Sequence, residues 1–184
     1  EKFFQTARHI EVQVAGDSAG NAAHIWEREC SLQRQRQKII EIAPAPALAS
    51  GVRTRLLDAA VALAKAAELD SLSTIEFLVD AKTAADDDNA EIAFIEANAR
   101  LQVEHTVTEA VTGLDLVEIK LRLAEGASLA EVGLSVPPPV QGMALQARIN
   151  METMTASGDA RPAGGCFTAF EPPAGAGVRV DHAG

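Results

Sequence analysis

FIEANARLQVEHTVTE, residues 94–109, runs apolar side chains into Glu96, Asn98, Arg100, Gln102 and Glu104, all of one parity. Alternate side chains of an extended segment point the same way, so these polar groups share one face. An ordinary core strand alternates too, but its polar side carries whatever water tolerates. Here the row is carboxylate, amide, guanidinium, amide, carboxylate, an order suited to holding ions. Residues two apart in a strand are separated by roughly 6.5–7 Å, so a straight run from Glu96 to Glu104 covers on the order of 26 Å. That is too long for one site. The segment must bend after Arg100, and Thr106-x-x-Glu109 reads as a capping box that starts a helix there.

Upstream, TIEFLV (74–79) and EIAFIEAN (91–98) read as strands joined through the polar insert AKTAADDDNA (81–90), a hairpin with a long loop. Each strand embeds a glutamate among apolar neighbours: Glu76 between Ile75 and Phe77, Glu96 between Ile95 and Ala97. Buried and unpaired, two such anions would be costly, and side by side they would repel. A hard divalent cation removes both problems, and Asn98 adds an oxygen on the same face. The alternative is that both glutamates face solvent. Arg100 could hold a planar oxyanion and Glu104 could take a proton, or each could be a surface ion-pair partner. Arg34, Arg36 and Lys38 form a compact basic stretch in an acidic chain, suited to phosphate or another small anion, or else simply solvated. Neither a Walker A motif nor GxGxxG is present.

The rest of the chain supplies the frame. RHIEVQVAGD (8–17) alternates as a half-buried strand, with Ile10, Val12 and Val14 on one face and His9, Glu11 and Gln13 on the other. A glycine-containing turn leads to a second strand near 22–29. CSLQRQRQKIIEIAPAP (30–46) is the basic run, a short apolar strand and a proline-rich loop. Leu56, Ala60, Leu63 and Ala67 recur at helical spacing within 52–68. Asp115-x-x-Glu118 and Ser128-x-x-Glu131 read as two more capped helix starts, so Glu109 and Glu118 are structural. PPP at 137–139 is the best domain boundary; QGMALQARIN (141–150) then alternates as a strand, and glycine and proline dominate from Gly158 to Gly177.

With 184 residues the chain has room for one domain, or one and a part. A net charge of −10 argues against sequence-independent nucleic-acid binding, which needs a basic surface. No apolar run approaches the roughly 18 residues of a membrane span, and no signal peptide opens the chain. Cys30 and Cys166 form no CxxC pair and read as reduced core thiols of a cytoplasmic protein. Both ends are expected to be cut from something longer.

EKFF, RHIEVQV, ECSLQRQRQKIIEIAPAP, IEFL, FIEANARLQVEHTVTEAVTGLDLV and QARIN follow in the order and approximate spacing of biotin carboxylase, and the chain resembles that family over nearly its whole length. The resemblance implies an α+β fold: the carboxy-terminal half of an ATP-grasp domain over 1–136, with a mostly antiparallel sheet and helices on one side, then the first strands of a carboxy-terminal domain over 140–184. It implies ATP-driven activation of bicarbonate to carboxyphosphate and carboxylation of biotin on a carrier domain, in company with a carboxyltransferase; a homo-oligomer is compatible with it. Glu1 would sit at the adenine edge and Leu78 against the purine, with His9 and Gln33 contacting nucleotide. Glu76 and Glu96, supported by Asn98, would ligate Mg²⁺ or Mn²⁺. Lys38, Arg100, Gln102 and the Val103 N–H would hold bicarbonate, Glu104 would deprotonate it, and Arg148 would stabilise the biotin enolate. Arg36 stands where the family usually has histidine, which changes the nucleotide contact. The amino-terminal domain, glycine-rich lid and phosphate-holding lysines of the family have no counterpart here, so the isolated chain is expected to be inactive. A carbamoyl-phosphate-type ATP-grasp ligase and a non-catalytic assembly module are the rival readings.

Overall fold

The computed structural model describes residues 3–85 and 90–182, which fall into two compact units, Glu1–Arg148 and Ile149–Gly184. The first unit is built on β1 (Ala7–Gly16), β2 (Ala22–Arg34), β3 (Gln37–Ala43), β4 (Ser71–Asp80), β5 (Ile92–Asn98) and β6 (Ala144–Ala147), in the sheet order β5-β4-β1-β2-β3-β6. Every pairing in it is antiparallel. The strand after the triple proline pairs with β3 and completes the first unit's sheet, and the two compact units divide at residues 148/149.

Three helices cover this sheet: α1 (Ser50–Ala66), α2 (His105–Thr112) and α3 (Leu116–Ala124). Ile10, Val12 and Val14 of β1 join Ile75, Phe77 and Val79 of β4 against Val52, Leu56, Ala60 and Ala64 of α1. The opposite parity of the same strands meets the other helices. Ala15, Ile25 and Leu72 pack with Leu116, Ile119 and Leu123 of α3, while Ala43 packs with Val107 and Val111 of α2. Helices thus lie on both faces, where one side was expected. The polar parity of β1 is consequently buried: Glu11 and Gln13 have no exposed surface. At the end of β1 the backbone passes so close to the segment before β4 that a Cβ on Gly16 would lie 1.7 Å from the Leu69 carbonyl oxygen, which only glycine avoids.

Two local features re-aim side chains. The β1–β2 register slips between Val12 and Val14, where Trp26 takes φ 64°, a bulge that reverses the parity of β2. It turns Glu27 toward α1 and Arg28 toward α2. The basic run is not a loop: Gln35 and Arg36, at φ 51° and 66°, make the two-residue turn of the β2–β3 hairpin.

The capping expectations divide. Asp115 accepts from the Glu118 N–H (2.8 Å) and starts α3, and Gly113 closes α2 in the left-handed conformation. Thr106 does not cap α2. The helix starts two residues earlier, with Glu104 as its N-cap, and the Thr106 hydroxyl donates to Gln146 on β6 instead. Ser128 and Glu131 do form their reciprocal bonds, but these close a turn and not an α-helix. Cys30 is buried as expected, whereas Cys166 is exposed, because the second unit carries little core. That unit holds the hairpin β7 (Glu152–Met154) and β8 (Ala160–Pro162) and a ring contact between Phe167 and Phe170.

Candidate active site

β4 and β5 pair so that Glu76 lies directly opposite Glu96, as the hairpin reading required. Asn98 joins them, its Nδ2 donating to Glu76 Oε1 (2.9 Å) and Glu96 Oε1 (3.0 Å). A donor already bridges one oxygen of each carboxylate; turning the amide over would offer Oδ1 instead, a third oxygen for a hard cation. This set fits a divalent metal. Glu76 is buried and Glu96 exposed, so such an ion would sit at the edge of the protein with room for outer ligands.

Lys38, next to the hairpin turn, reaches across β2 and β1. Its Nζ contacts Glu11, Glu104 Oε1 (2.8 Å) and Glu76 Oε1 (3.0 Å). Burial works against the ammonium, yet the Glu11 and Glu104 carboxylates outweigh it and hold Lys38 well above the ordinary lysine range. His9 Nε2 meets Glu76 Oε2 at 2.6 Å, and Gln102 Nε2 donates to Glu76 Oε1 at 3.2 Å. Burial pushes the Glu76 carboxyl up, but the His9 and Lys38 contacts more than offset it and hold it near about 2. Glu104 is likewise lowered against its burial, chiefly by Lys38. His9, Glu11 and Glu76 also converge within 4.8 Å, but there the Lys38 ammonium is already the resident cation.

The remaining expected residues are placed as follows. Gln33 hydrogen-bonds the far nitrogen of His9 (2.7 Å), and Leu78 lies opposite His9 in the β1–β4 register. Arg100 is exposed and meets the Leu101 carbonyl at 3.5 Å; no bond to Lys38 or Glu104 brings it into the cluster among the described residues. Extended structure ends at Asn98, before Arg100 and not after it, and this early exit returns Glu104 to Lys38. Val103 is exposed, as is Arg36 on its turn. Arg148 is half-buried, its backbone tied to Ile39. Glu1 lies outside the described residues. A cavity of ≈ 420 Å³ elsewhere, beside His24, Asp58 and Lys65, includes none of these residues.

Sequence reading missed Glu11, Arg28, Thr108 and Glu41. Glu11 was visible on the polar parity of β1, but nothing local shows that this parity is covered. Glu41 on β3 is fully buried, with neither carboxylate oxygen hydrogen-bonded among the described residues. Burial first, then the charge of Glu104, raises it to about 7, against the opposing pull of Arg148. A raised folded pKa means the native state binds the extra proton between about pH 4.5 and 7, so stability should fall as pH rises through that window. Glu76 acts oppositely: its contribution is present above about pH 4.5 and lost as pH falls toward about 2. The Glu41 contribution to urea stability should therefore be larger near pH 5 than near pH 8, whereas His24, whose pKa burial lowers, contributes with the opposite sign. Glu41→Gln should remove most of that difference; an unchanged pH slope would contradict the assignment.

Comparison with known proteins identifies the family. Residues 1–132 match the family model described as carbamoyl-phosphate synthase L chain, ATP binding domain. The chain belongs to that family. Pyruvate carboxylase 1 of Caenorhabditis elegans is 47% identical over 184 residues, all of this chain and 15% of the relative. Among solved structures, the biotin carboxylase domain of a single-chain bacterial carboxylase is 46% identical with a TM-score of 0.79, covering 97% of this chain and 38% of that one. The biotin carboxylase domain of the Hydrogenobacter thermophilus 2-oxoglutarate carboxylase is 39% identical with a TM-score of 0.71, over 83% of this chain and 32% of that one. The ATP-binding-domain chain thus spans about 15% of the length of the curated relative it matches. No helix among its described residues is long and apolar enough to cross a membrane.

Proposed function

We propose that this chain is part of an ATP-dependent biotin carboxylase, 1–136 being the carboxy-terminal part of its ATP-grasp domain and 140–184 the start of the domain that follows, whose first strand, β6, is contributed to the sheet of the first unit. The observation that carries the reading is the convergence of Glu76, Glu104 and Glu11 on Lys38 beside the Glu76–Glu96 pair. A carboxylate pair suited to a metal thus adjoins a cation suited to an anion, and both adjoin a candidate base. The 2-oxoglutarate carboxylase domain is described in complex with MgADP and bicarbonate. Here Glu76, Glu96 and Asn98 would hold Mg²⁺ or Mn²⁺, which when bound supplies charge neutralisation on nucleotide phosphates. His9, Gln33, Arg36 and Leu78, with Glu1, would contact the nucleotide.

Bicarbonate would bind Lys38, Gln102, the Val103 N–H and Arg100, the last turning inward from its exposed position. Its arrival must compete with Glu104 for the Lys38 ammonium. Losing part of that bond raises the basicity of Glu104 just as its substrate arrives. Glu104 then takes the bicarbonate proton while the bicarbonate oxygen attacks the terminal phosphorus of ATP, releasing ADP. Carboxyphosphate would split into carbon dioxide and phosphate. The phosphate would take the N1′ proton of biotin on a carrier domain, the carbon dioxide would add to N1′ of the enolate stabilised by Arg148, and a carboxyltransferase would complete the reaction. Free cysteines fit a cytoplasmic setting.

The test is bicarbonate-dependent ATP cleavage by the full-length protein with free biotin. Glu96→Gln should raise the Mg²⁺ concentration needed for half-maximal rate by about tenfold or more, since one of the oxygen ligands loses its charge. An unchanged Mg²⁺ dependence would remove Glu96 from the metal site, and activity without biotin would favour another ligase. The isolated 184-residue chain should show no such cleavage, because phosphoryl transfer relies on positioning and charge neutralisation. Turnover by this chain at the full-length rate would refute that expectation.

A further inference from the structure

Lys38 and Glu104 belong to a closed ring of hydrogen bonds, and its far side has no part in the chemistry proposed above. Glu104 precedes α2 and Thr108 lies one helical turn further on, so both side chains sit on one helical face. Lys38 Nζ holds Glu104 (2.8 Å) and also contacts Glu11 Oε2. The other Glu11 oxygen accepts from Arg28 Nε (2.5 Å). Arg28 Nη1 then donates to Thr108 Oγ1 (2.9 Å) and Gln13 Oε1 (2.9 Å), and the Gln13 amide donates to the Ser73 carbonyl (2.9 Å). The circuit Glu104–Lys38–Glu11–Arg28–Thr108 begins and ends on α2.

Arg28 has no exposed surface, and one of its nitrogens, Nη2, has no hydrogen-bond partner among the described residues. A buried guanidinium is expensive to keep, and its burial opposes its charge; Glu11 more than compensates. As pure stabilisation, an apolar side chain of similar volume serves as well or better. The guanidinium offers what such a side chain cannot, donors in fixed directions toward strands and helix at once. Arg28 reaches this face only because of the bulge at Trp26.

We propose that Arg28 and Thr108 are positioning residues for the bicarbonate step: they pin α2 to the sheet and so fix the distance between Glu104 and Lys38. This rests on the reading of those two residues as base and anion holder. Thr106–Gln146 and the packing of Val107 and Val111 on Ala43 hold α2 toward β3 and β6, whereas its bonds toward β1 and β2 run through Arg28–Thr108 and through Lys38, the cation that bicarbonate must engage. With the link, the helix keeps its place when Lys38 turns to the substrate.

The experiment uses the full-length protein and varies bicarbonate and ATP separately. Thr108→Val keeps the shape and removes the hydroxyl, whereas Thr108→Ser keeps the hydroxyl. Thr108→Val should lower kcat/KM for bicarbonate by about tenfold, the scale of one hydrogen bond to a charged group, with KM for ATP unchanged. Thr108→Ser should restore most of it. Arg28→Lys, with one compact donor group in place of the fork, should lose about ten- to a hundredfold with the same bias toward bicarbonate. Thermal unfolding shows whether each variant is folded. A role in folding alone would lower the rate only in proportion to the unfolded fraction and leave kcat per folded molecule and both KM values unchanged, and that result overturns the proposal. So does a Thr108→Val enzyme with wild-type bicarbonate kinetics, or a Thr108→Ser enzyme as impaired as Thr108→Val. If the wild-type protein itself shows no bicarbonate-dependent cleavage, the functional reading fails first.

Discussion

Glu104→Gln in the full-length protein is expected to lower bicarbonate-dependent ATP cleavage by about 10²–10⁴-fold, the usual contribution of a positioned general base. The substitution keeps size and removes basicity. Glu104 is buried and bonded to Lys38 at 2.8 Å, so an amide can occupy the same place and still accept from the ammonium. KM for bicarbonate should change little, because in the proposed reading the anion would be held by Lys38, Gln102 and the Val103 backbone. Arg100→Ala is the contrasting variant. Its guanidinium is free to turn onto the substrate, and its loss should raise KM for bicarbonate as well as lower kcat. Steady-state kinetics of both variants at varied bicarbonate separate the roles. A Glu104→Gln enzyme with near-normal turnover would show that Glu104 is not the base.

Lys38→Met should be the most damaging single change to the fold of this chain, by about 3–5 kcal/mol at neutral pH. The lysine is the shared partner of Glu11, Glu76 and Glu104, and its own side chain is only 12% exposed. Removing it leaves buried carboxylates facing one another with Arg28 and His9 as the nearest counter-groups. The sign of the pH effect follows. Without the ammonium these carboxyls bind protons more readily in the folded state, so acidification relieves the variant. Urea midpoints of wild type and variant should therefore differ widely at pH 7.5 and converge near pH 5. A constant difference across that range would mean that the loss is packing and not charge.

Much of this site was legible in the chain because β-strands translate sequence parity directly into direction. TIEFLV and FIEAN each carry one glutamate in an apolar run, and the antiparallel register places Glu76 against Glu96 with Asn98 beside them. The helix over α1 and the Asp115 cap were equally local, since helical spacing and an N-terminal carboxylate need no distant partner. Only the tertiary structure decided the rest. Whether the polar side of β1 meets water depends on α2 and α3 arriving from residues about a hundred positions later, and their arrival makes Glu11 an interior anion. The bulge at Trp26 inverts the parity of β2, so no alternation count could aim Arg28 at Thr108. Thr106 resembled a cap, but Gln146 on β6 claims its hydroxyl, and the helix begins two residues sooner, after Glu104. Alternation and capping are properties of a few neighbouring residues. Burial, and with it the charge state of Glu41 and the grip of Lys38, depends on which distant segment closes over the face.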